Sequence, residues 1–341
     1  MLAEMLPFDL PEHRDRTTDV VCLGHALIDR LAEATPEVVS RAGLELGAMT
    51  LVDSGKALEI ERALDAWEEV AGGSAANTAA GIASLGGSPA FAGSIGADEP
   101  GRRYVANLEA SGVRCVVLPV ASGQPTGVCH VFVGHDGGRS MATNLGAAGE
   151  LGAPAVEEVG IGDSLVVYVE GYLLDAPAAA EALAKAVELA RGSGTLFSLS
   201  LSDPFVVDRH RDRVLELLGD GALDILFGNE DEARSLTGAG SLEESLVALT
   251  RPGLLVIVTR GASGSVAAST EGVIECPAHQ VPAVVDTTGA GDLFAAGVLY
   301  GITRREGLAR SLHLGSLAAG EIIGHLGARP RVSLAGLVEG V

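Results

Sequence analysis

The sequence predicts an α/β fold, a three-layer αβα sandwich around a mostly parallel central sheet, and two features support this prediction. Short β-branched runs alternate with longer alanine-rich stretches along most of the 341 residues. The apolar runs are continuous, which is typical of parallel strands that are buried on both faces. The stretches between them are long enough to be the helices that cover those faces.

The individual elements can be placed along the chain. Strands of the central sheet are predicted over five runs: 19–24, 164–170, 195–201, 223–228 and 254–259. Helices are predicted over five stretches: 54–70, 74–85, 178–191, 207–218 and 230–236. Right-handed crossovers bring the loops at the carboxyl ends of parallel strands to one crevice, where ligands bind in such folds.

One region breaks the alternation of strands and helices. Within residues 112–145, strand-like runs follow one another without a helix, and Gly137 and Gly138 between two of them indicate a hairpin. Residues 30–52 also lack a full crossover helix. We therefore expect a single domain over residues 1–341, in which segments 30–52 and 112–145 form a small antiparallel β lid on the core.

Composition excludes several classes of protein. The net charge is −22 and the chain has only two lysines, which argues against a nucleic-acid partner because phosphates require clustered basic residues. No apolar run reaches the roughly 18 residues of a membrane span, and the first residues lack the pattern of a signal peptide. We expect a cytoplasmic protein without a membrane partner.

Cysteine and histidine spacings give no sign of a disulfide framework or a zinc site. The four cysteines are scattered without a CxxC pair, and the histidines form no HExxH pattern. We expect the cysteines to be reduced thiols: Cys22, Cys115, Cys129 and Cys276.

The most informative segment is VVDTTGAGDLFAAGVLYG, residues 284–301. A strand end runs into the glycine-rich turn of Gly289, Ala290 and Gly291, and a helix is predicted to begin near Asp292. Backbone N–H groups and the positive end of a helix dipole there would form an anion hole without lysine. Asp292 could accept a proton from an attacking hydroxyl, although these residues alone leave open that it only caps the helix.

A second segment, AGGSAANTAAGIASLGG, covers residues 71–87. Gly72 and Gly73 precede a small-residue helix that carries Asn77 one turn in. The pattern permits close approach to a ligand, and it equally permits tight helix packing without one.

In this order, the two segments closely resemble the two signature motifs of the ribokinase-like, or PfkB, family of carbohydrate and nucleoside kinases. The resemblance covers about residues 19–330 and implies a ribokinase-like fold. It also implies an ATP-dependent phosphotransferase with an alcohol acceptor, in which Asp292 is the general base and the GAGD amides stabilise the transferred phosphoryl group. The sequence contains no GxxxxGK[ST] motif, so a Walker-type site is excluded.

The resemblance also implies which residues bind substrate and nucleotide. GHALID (24–29) resembles the first-strand motif of the family, whose terminal aspartate holds substrate hydroxyls. The implied acceptor site comprises His25, Asp29, Gly72, Gly73 and Asn77. TRGASG (259–264) resembles the turn over the nucleotide, and Arg139 resembles a lid arginine that approaches the phosphates. The implied nucleotide site comprises Thr259, Gly261, Gly264 and Arg139.

Metal sites are implied in the same way. NEDE (229–232) matches the NxxE motif of the family, so Asn229 and Glu232 are expected to act on Mg²⁺ through water. Asp286 and Thr288 lie where family members place backbone carbonyls around a monovalent cation such as K⁺. Taken alone, each of these residues also fits an ordinary cap, turn or surface position.

The acceptor is predicted from weaker signals. TGVCHVFVG, RSMATNL and EGYLLD resemble the adenosine-kinase branch, whereas His25 stands where adenosine kinases often carry Asn. Phe132, Tyr172 and Phe205 are candidates to stack on a purine. A nucleoside is the first choice and a free sugar such as ribose or fructose is the alternative.

Two further classes are weighed against a kinase. A non-catalytic sensor on the same scaffold is disfavoured by the intact Asp292, GAGD and NxxE residues. A dinucleotide oxidoreductase is disfavoured because no GxGxxG with a following acidic residue comes after the first strand. The expected assembly is a monomer or a homodimer.

Overall fold

A computed structural model describes residues 6–12, 16–64, 66–134 and 138–338. The larger of its two sheets has nine strands among these residues, in the spatial order β14 (Gly272–Cys276), β13 (Ser265–Ser269), β12 (Leu255–Thr259), β11 (Ile225–Asn229), β10 (Leu196–Ser200), β9 (Ser164–Val169), β1 (Thr18–Leu23), β5 (Pro89–Ile95) and β6 (Arg114–Pro119). The pairs from β6 to β12 are parallel, and β13 and β14 add antiparallel at one edge. The five predicted strands of the central sheet are all present.

Most of the helices cover the two faces of the larger sheet, and the first two pack against the smaller sheet. In chain order they are α1 (Pro36–Arg41), α2 (Ser54–Ala63), α3 (Ser74–Ser84), α4 (Glu99–Ala110), α5 (Ala153–Glu158), α6 (Ala179–Ser193), α7 (Pro204–Gly219), α8 (Glu230–Thr237), α9 (Leu242–Leu249), α10 (Ala290–Thr303), α11 (Leu308–Ile322) and α12 (Leu334–Val338). Alternate residues of β1 enter two different cores. Val20 and Cys22 pack with α3, α10 and α11, whereas Val21 and Leu23 pack with α5 to α9. The predicted α/β sandwich is confirmed.

A second sheet lies beside the first. Its strand order is β3 (Met49–Leu51), β8 (Arg139–Asn144), β7 (Gly127–Val133), β2 (Leu27–Glu33) and β4 (Glu68–Ala71). β7–β8 and β2–β4 are antiparallel, as the sequence predicts for the small sheet, whereas β2–β7 and β3–β8 are parallel. Gly137, in the predicted hairpin turn, lies outside the described residues.

Two boundaries differ from the sequence prediction. The helix predicted over 54–70 ends at Ala63, because the chain turns extended at Leu64 and residues 68–71 pair with β2 as β4. The first strand of segment 112–145, β6, pairs with β5 at the edge of the larger sheet rather than within the smaller one. Of the helices that the structure describes, none has the length and apolar character to cross a membrane.

Candidate active site

A cavity of about 360 Å³ opens where the carboxyl ends of the larger sheet's strands meet the second sheet. Phe227, Asn229 and Thr259 line it from strand ends of the larger sheet, while Asp29 and Arg139 line it from the second sheet. This is the crevice that parallel α/β topology uses for ligands.

The N-terminus of α10 forms one wall of this cavity. Gly289 precedes the helix with φ 78°, and a Cβ there would lie 2.8 Å from the Cβ of Ala328, so only glycine fits. The turn is closed by the Ala290 N–H, which donates to the Thr287 carbonyl at 3.2 Å. Gly289, Ala290 and Gly291 all line the cavity, which places a helix start and its dipole against it.

Asp292 lies in the first turn of α10, but it does not cap the helix. Its carboxylate accepts hydrogen bonds from two side chains of α3: Ser74 Oγ at 2.6 Å and Asn77 Nδ2 at 3.0 Å. Because the helix cap is Gly289 and the carboxylate turns to α3, the capping alternative left open by the sequence does not apply.

The helices α3 and α10 pack closely enough for these bonds to form. A Cβ on Gly81 of α3 would lie 2.6 Å from Leu293 Cδ1 and 2.7 Å from Ala296 Cβ. The small residues of segment 71–87 therefore serve tight packing, and that packing brings Asn77 to Asp292. The interpretation as tight helix packing is correct, and the approach of a ligand to this segment stays a prediction.

Burial raises the pKa of Asp292 above its usual value. The hydrogen bonds from Ser74 and Asn77, and the charges of Arg139 and Arg329, act in the opposite direction. The carboxylate is thus desolvated but supported in its ionised form by donors and cations, which is the environment of a usable proton acceptor.

Asp29 faces the same cavity from β2 and is only 8% exposed. Burial raises its pKa to about 7, and the nearby Arg329 acts against that rise. Gly72 makes room for this carboxylate, since a Cβ there would lie 2.0 Å from Asp29 Cγ. Gly73 lines the cavity with φ 91°, and a Cβ there would collide with the His25 carbonyl at 2.2 Å.

A buried Glu170, which the sequence analysis did not assign to the site, ties together the elements around His25. Its carboxylate accepts from the backbone N–H of His25 at 2.8 Å and of Ala75 at 2.7 Å. Burial raises the pKa of Glu170 to about 8 and lowers that of His25 to about 4. The sequence signal for Glu170 is its position as an acidic residue directly after an apolar strand.

Asn229 and Glu232 form a capping box at the start of α8. Glu232 accepts from the Asn229 backbone at 2.9 Å and from Asn229 Nδ2 at 2.6 Å, while Asn229 Oδ1 accepts from the Glu232 N–H at 2.9 Å. Both residues line the cavity, and burial raises the pKa of Glu232 to about 7. Asn229 and Glu232 therefore form an ordinary helix start, and both side chains also face the cavity.

The predicted monovalent-cation residues lie beside α10. Asp286 is fully buried, and its carboxylate accepts from the backbone and hydroxyl of Thr288 at 2.8 and 2.6 Å and from the Gly327 N–H at 2.9 Å. These bonds fasten the turn before α10 to the loop after α11. Thr288 lines the cavity and Asp286 lies behind it.

The predicted nucleotide residues divide into two groups. Thr259 and Arg139 line the cavity, and Arg139 Nη1 donates to Thr287 Oγ1 at 3.2 Å across the gap between the two sheets. Gly261 and Gly264 lie in the turn between β12 and β13, outside the lining of the cavity.

The aromatic candidates are only partly correct. Tyr172 lines the cavity, but Phe132 packs on the other face of β7 with Val39 and Leu44, and Phe205 is 40% exposed at the start of α7. The aromatic rings that line the cavity beside Tyr172 are Phe227 and Phe294. Alternation along β7 explains the error, because Cys129 and Val131 face the cavity and Phe132 must point away.

Known proteins resemble this chain along nearly its whole length. The solved structure of an adenosine kinase from Sinorhizobium meliloti is 40% identical, with a TM-score of 0.92 over 95% of this chain and 99% of that one. A probable sugar kinase from Rhizobium etli CFN 42 is 38% identical, with a TM-score of 0.92 over 95% and 98%. An adenosine kinase of Saccharomyces cerevisiae is 28% identical over 334 residues, covering 91% of this chain and 96% of that protein.

The family itself is identified by a direct match. A model described as pfkB family carbohydrate kinase matches residues 17–333, which include α3, α10 and every residue of the cavity described above. The resemblance inferred from the two glycine-rich segments is thereby confirmed. The chain belongs to the pfkB family of carbohydrate kinases, phosphotransferases with an alcohol group as acceptor.

Proposed function

We propose that this enzyme transfers the γ-phosphoryl group of ATP to a hydroxymethyl oxygen of a nucleoside, with adenosine as the leading candidate. The observation that carries the proposal is Asp292, a desolvated carboxylate at the start of α10 that α3 aims into the cavity beside Gly289 and Gly291. Asp292 accepts the proton of the attacking hydroxyl. The backbone N–H groups of the turn stabilise charge on the transferred phosphoryl oxygens.

Acceptor binding is assigned to the opposite part of the cavity. Asp29 accepts hydrogen bonds from substrate hydroxyls, and Asn77, Gly73 and His25 complete the acceptor site. Support comes from the burial of Asp29 and His25 and from the position of Gly73 in the lining of the cavity. Tyr172, Phe227 and Phe294 provide apolar surface for a base.

Nucleotide binding is assigned to the other end. Kinase relatives use ATP with a metal ion, and Thr259, Gly261, Gly264 and Arg139 are the residues proposed to contact the nucleotide. The arginine already spans from the second sheet to Thr287, which supports a role for the second sheet as a lid that closes over the phosphates.

The residues present fit Mg²⁺ held through water. Asn229 and Glu232 hydrogen-bond to each other, and each Glu232 oxygen keeps a lone pair that could accept from a water of the ion. No cluster of acidic, His or Cys side chains able to hold a metal directly is found in the described part of the chain. Mg²⁺ commonly keeps several waters and binds phosphate oxygens, whose charge it offsets during transfer. Backbone carbonyls of Asp286 and Thr288 would hold K⁺, supported by the rigid turn that the Asp286 carboxylate fastens.

A free sugar is the second candidate acceptor. It is favoured by the 38% identity to the probable sugar kinase from Rhizobium etli CFN 42 and by the polar floor of the cavity around His25, Asp29 and Glu170. The protein is proposed to act on small molecules without a nucleic-acid or membrane partner.

The test is acceptor-dependent release of ADP from Mg-ATP by the purified protein. Adenosine and other nucleosides are compared with ribose and fructose, and Asp292→Asn is compared with Asp212→Asn, an exposed carboxylate on α7 outside the cavity. Turnover with nucleosides that Asp292→Asn loses and Asp212→Asn keeps supports the proposal. Turnover with sugars alone reassigns the acceptor, and binding without any turnover contradicts the kinase function.

A further inference from the structure

Arg329, in the loop between α11 and α12, reaches the back of the acceptor site. Its Nε donates to Asn77 Oδ1 at 2.8 Å. Its two Nη atoms are buried without a hydrogen-bond partner among the residues that the structure describes. Burying a charged guanidinium whose Nη atoms have no partner costs free energy of folding. A function for the hydrogen bond between Arg329 and Asn77 would explain why this cost is kept.

The Asn77 side chain connects this guanidinium to Asp292. Its oxygen faces Arg329 and its nitrogen donates to Asp292 Oδ2 at 3.0 Å. The two ends of an amide have the same shape, so sterics alone do not fix its orientation. Arginine can only donate and an ionised carboxylate can only accept, and therefore these two partners together permit one orientation of the amide.

We propose that Arg329 is a positioning residue for phosphoryl transfer, which fixes the Asn77 amide so that it donates to Asp292. This inference rests on the proposed function of Asp292. Without the Arg329 donor, Asn77 is free to turn its oxygen toward the carboxylate, which then tolerates that contact only when protonated. A protonated Asp292 cannot take the hydroxyl proton.

Other groups also act on Asp292, and the test must hold them constant. Ser74 donates to it from α3, and Arg139 approaches from β8. Four further ionisable groups interact electrostatically with Asp292. They are Asp29 on β2, Tyr168 on β9, and Glu170 and Tyr172 in the segment after β9. A substitution at position 329 by a neutral residue leaves these side chains in place, but it also removes the Arg329 charge, which by itself lowers the pKa of both Asp292 and Asp29.

The experiment is the pH profile of kcat/KM for the acceptor at saturating Mg-ATP. Arg329→Met, which removes the donor, is expected to move the acidic limb upward by about one pH unit, so that the rate below the limb falls about tenfold. Arg329→Lys keeps a charged donor and is expected to restore the wild-type limb. Arg331→Met, at an exposed arginine two residues away, is the matched control and is expected to leave the limb unchanged.

Arg329→Gln provides a second variant of similar polarity, with an uncharged donor of shorter reach. Its limb is expected to move in the same direction by less than that of Arg329→Met. At a wild-type melting temperature, an unmoved limb in Arg329→Met overturns the proposal. A full shift of about one pH unit in Arg329→Gln overturns it too, because the loss of the Arg329 charge then explains the effect without the donor. A shift of that size in Arg331→Met has the same consequence. Absence of turnover in the wild type is a separate result, because it contradicts the kinase function itself.

Discussion

Two of the carboxylates that line the cavity, Asp292 and Asp29, lie in contrasting surroundings. Asp292 is held by Ser74 and Asn77, which packing between α3 and α10 fixes in place. Asp29 lies on the second sheet, and no hydrogen bond to its carboxylate is formed by any other described residue. This contrast agrees with the proposed function, in which Asp292 is organised in advance for proton transfer and Asp29 is left for ligand hydroxyls to satisfy.

The largest effect is expected at the organised carboxylate. Asp292→Asn should lower kcat by about two to four orders of magnitude, because the general base is lost, while the affinity for ATP is retained. Steady-state rates and ATP titration measure the two quantities. Wild-type turnover by this variant would remove Asp292 from the mechanism.

The second carboxylate should affect binding instead. Asp29→Asn is expected to raise the acceptor KM by about a hundredfold, since charge-assisted hydrogen bonds to hydroxyls are lost, with a much smaller change in kcat. Initial rates at several acceptor concentrations check this. A fall in kcat equal to that of Asp292→Asn would erase the contrast between the two residues.

A smaller effect is expected from the support of Asp292. Ser74→Ala removes one of its two side-chain donors and should lower kcat/KM about tenfold at pH 6, with recovery at higher pH. The reason is that this hydrogen bond favours the ionised form. Ser84→Ala, outside the cavity on the same helix, is a control that should show no pH-dependent loss.

The sequence predicts those elements that form from local residue patterns and misses those that depend on pairing between distant segments. The strands of the larger sheet and the helices α3 and α10 are correctly predicted, because buried apolar runs and glycine-flanked small-residue helices carry local signals. The end of α2 and the assignment of β6 depend on pairing with distant strands, which local propensity does not report.

The site shows the same division. The glycine-rich turn, Asp29 and Asn77 are found from their motifs, and the structure brings them to one cavity. Ser74, Glu170 and Arg329 were missed because each acts through a contact between segments more than ninety residues apart. Alternation in β7 places Phe132 on the face opposite Val131, but which face meets the cavity depends on how β7 pairs with β2 and β8, and a local pattern does not report this pairing.

The smallest expected effect concerns stability. Since the pKa of Asp29 is raised to about 7 in the folded protein, its contribution to the free energy of unfolding is present below about pH 4 and is lost as pH rises through 7. Asp29→Asn should therefore gain about 1 kcal/mol over wild type between pH 5 and pH 6. Urea unfolding at both values measures it. Glu170 and Glu232, with pKa values also raised, leave part of the slope in the variant.

The central claim is that Asp292 serves proton transfer and Asp29 serves acceptor binding. It is tested most directly by measuring acceptor binding and single-turnover phosphoryl transfer in Asp292→Asn and Asp29→Asn side by side. The expected result is that Asp292→Asn binds adenosine with near wild-type affinity but transfers slowly. Asp29→Asn should bind weakly but transfer at a near wild-type rate once saturated. Equal losses of binding in both variants, or rapid transfer by Asp292→Asn, would contradict the account.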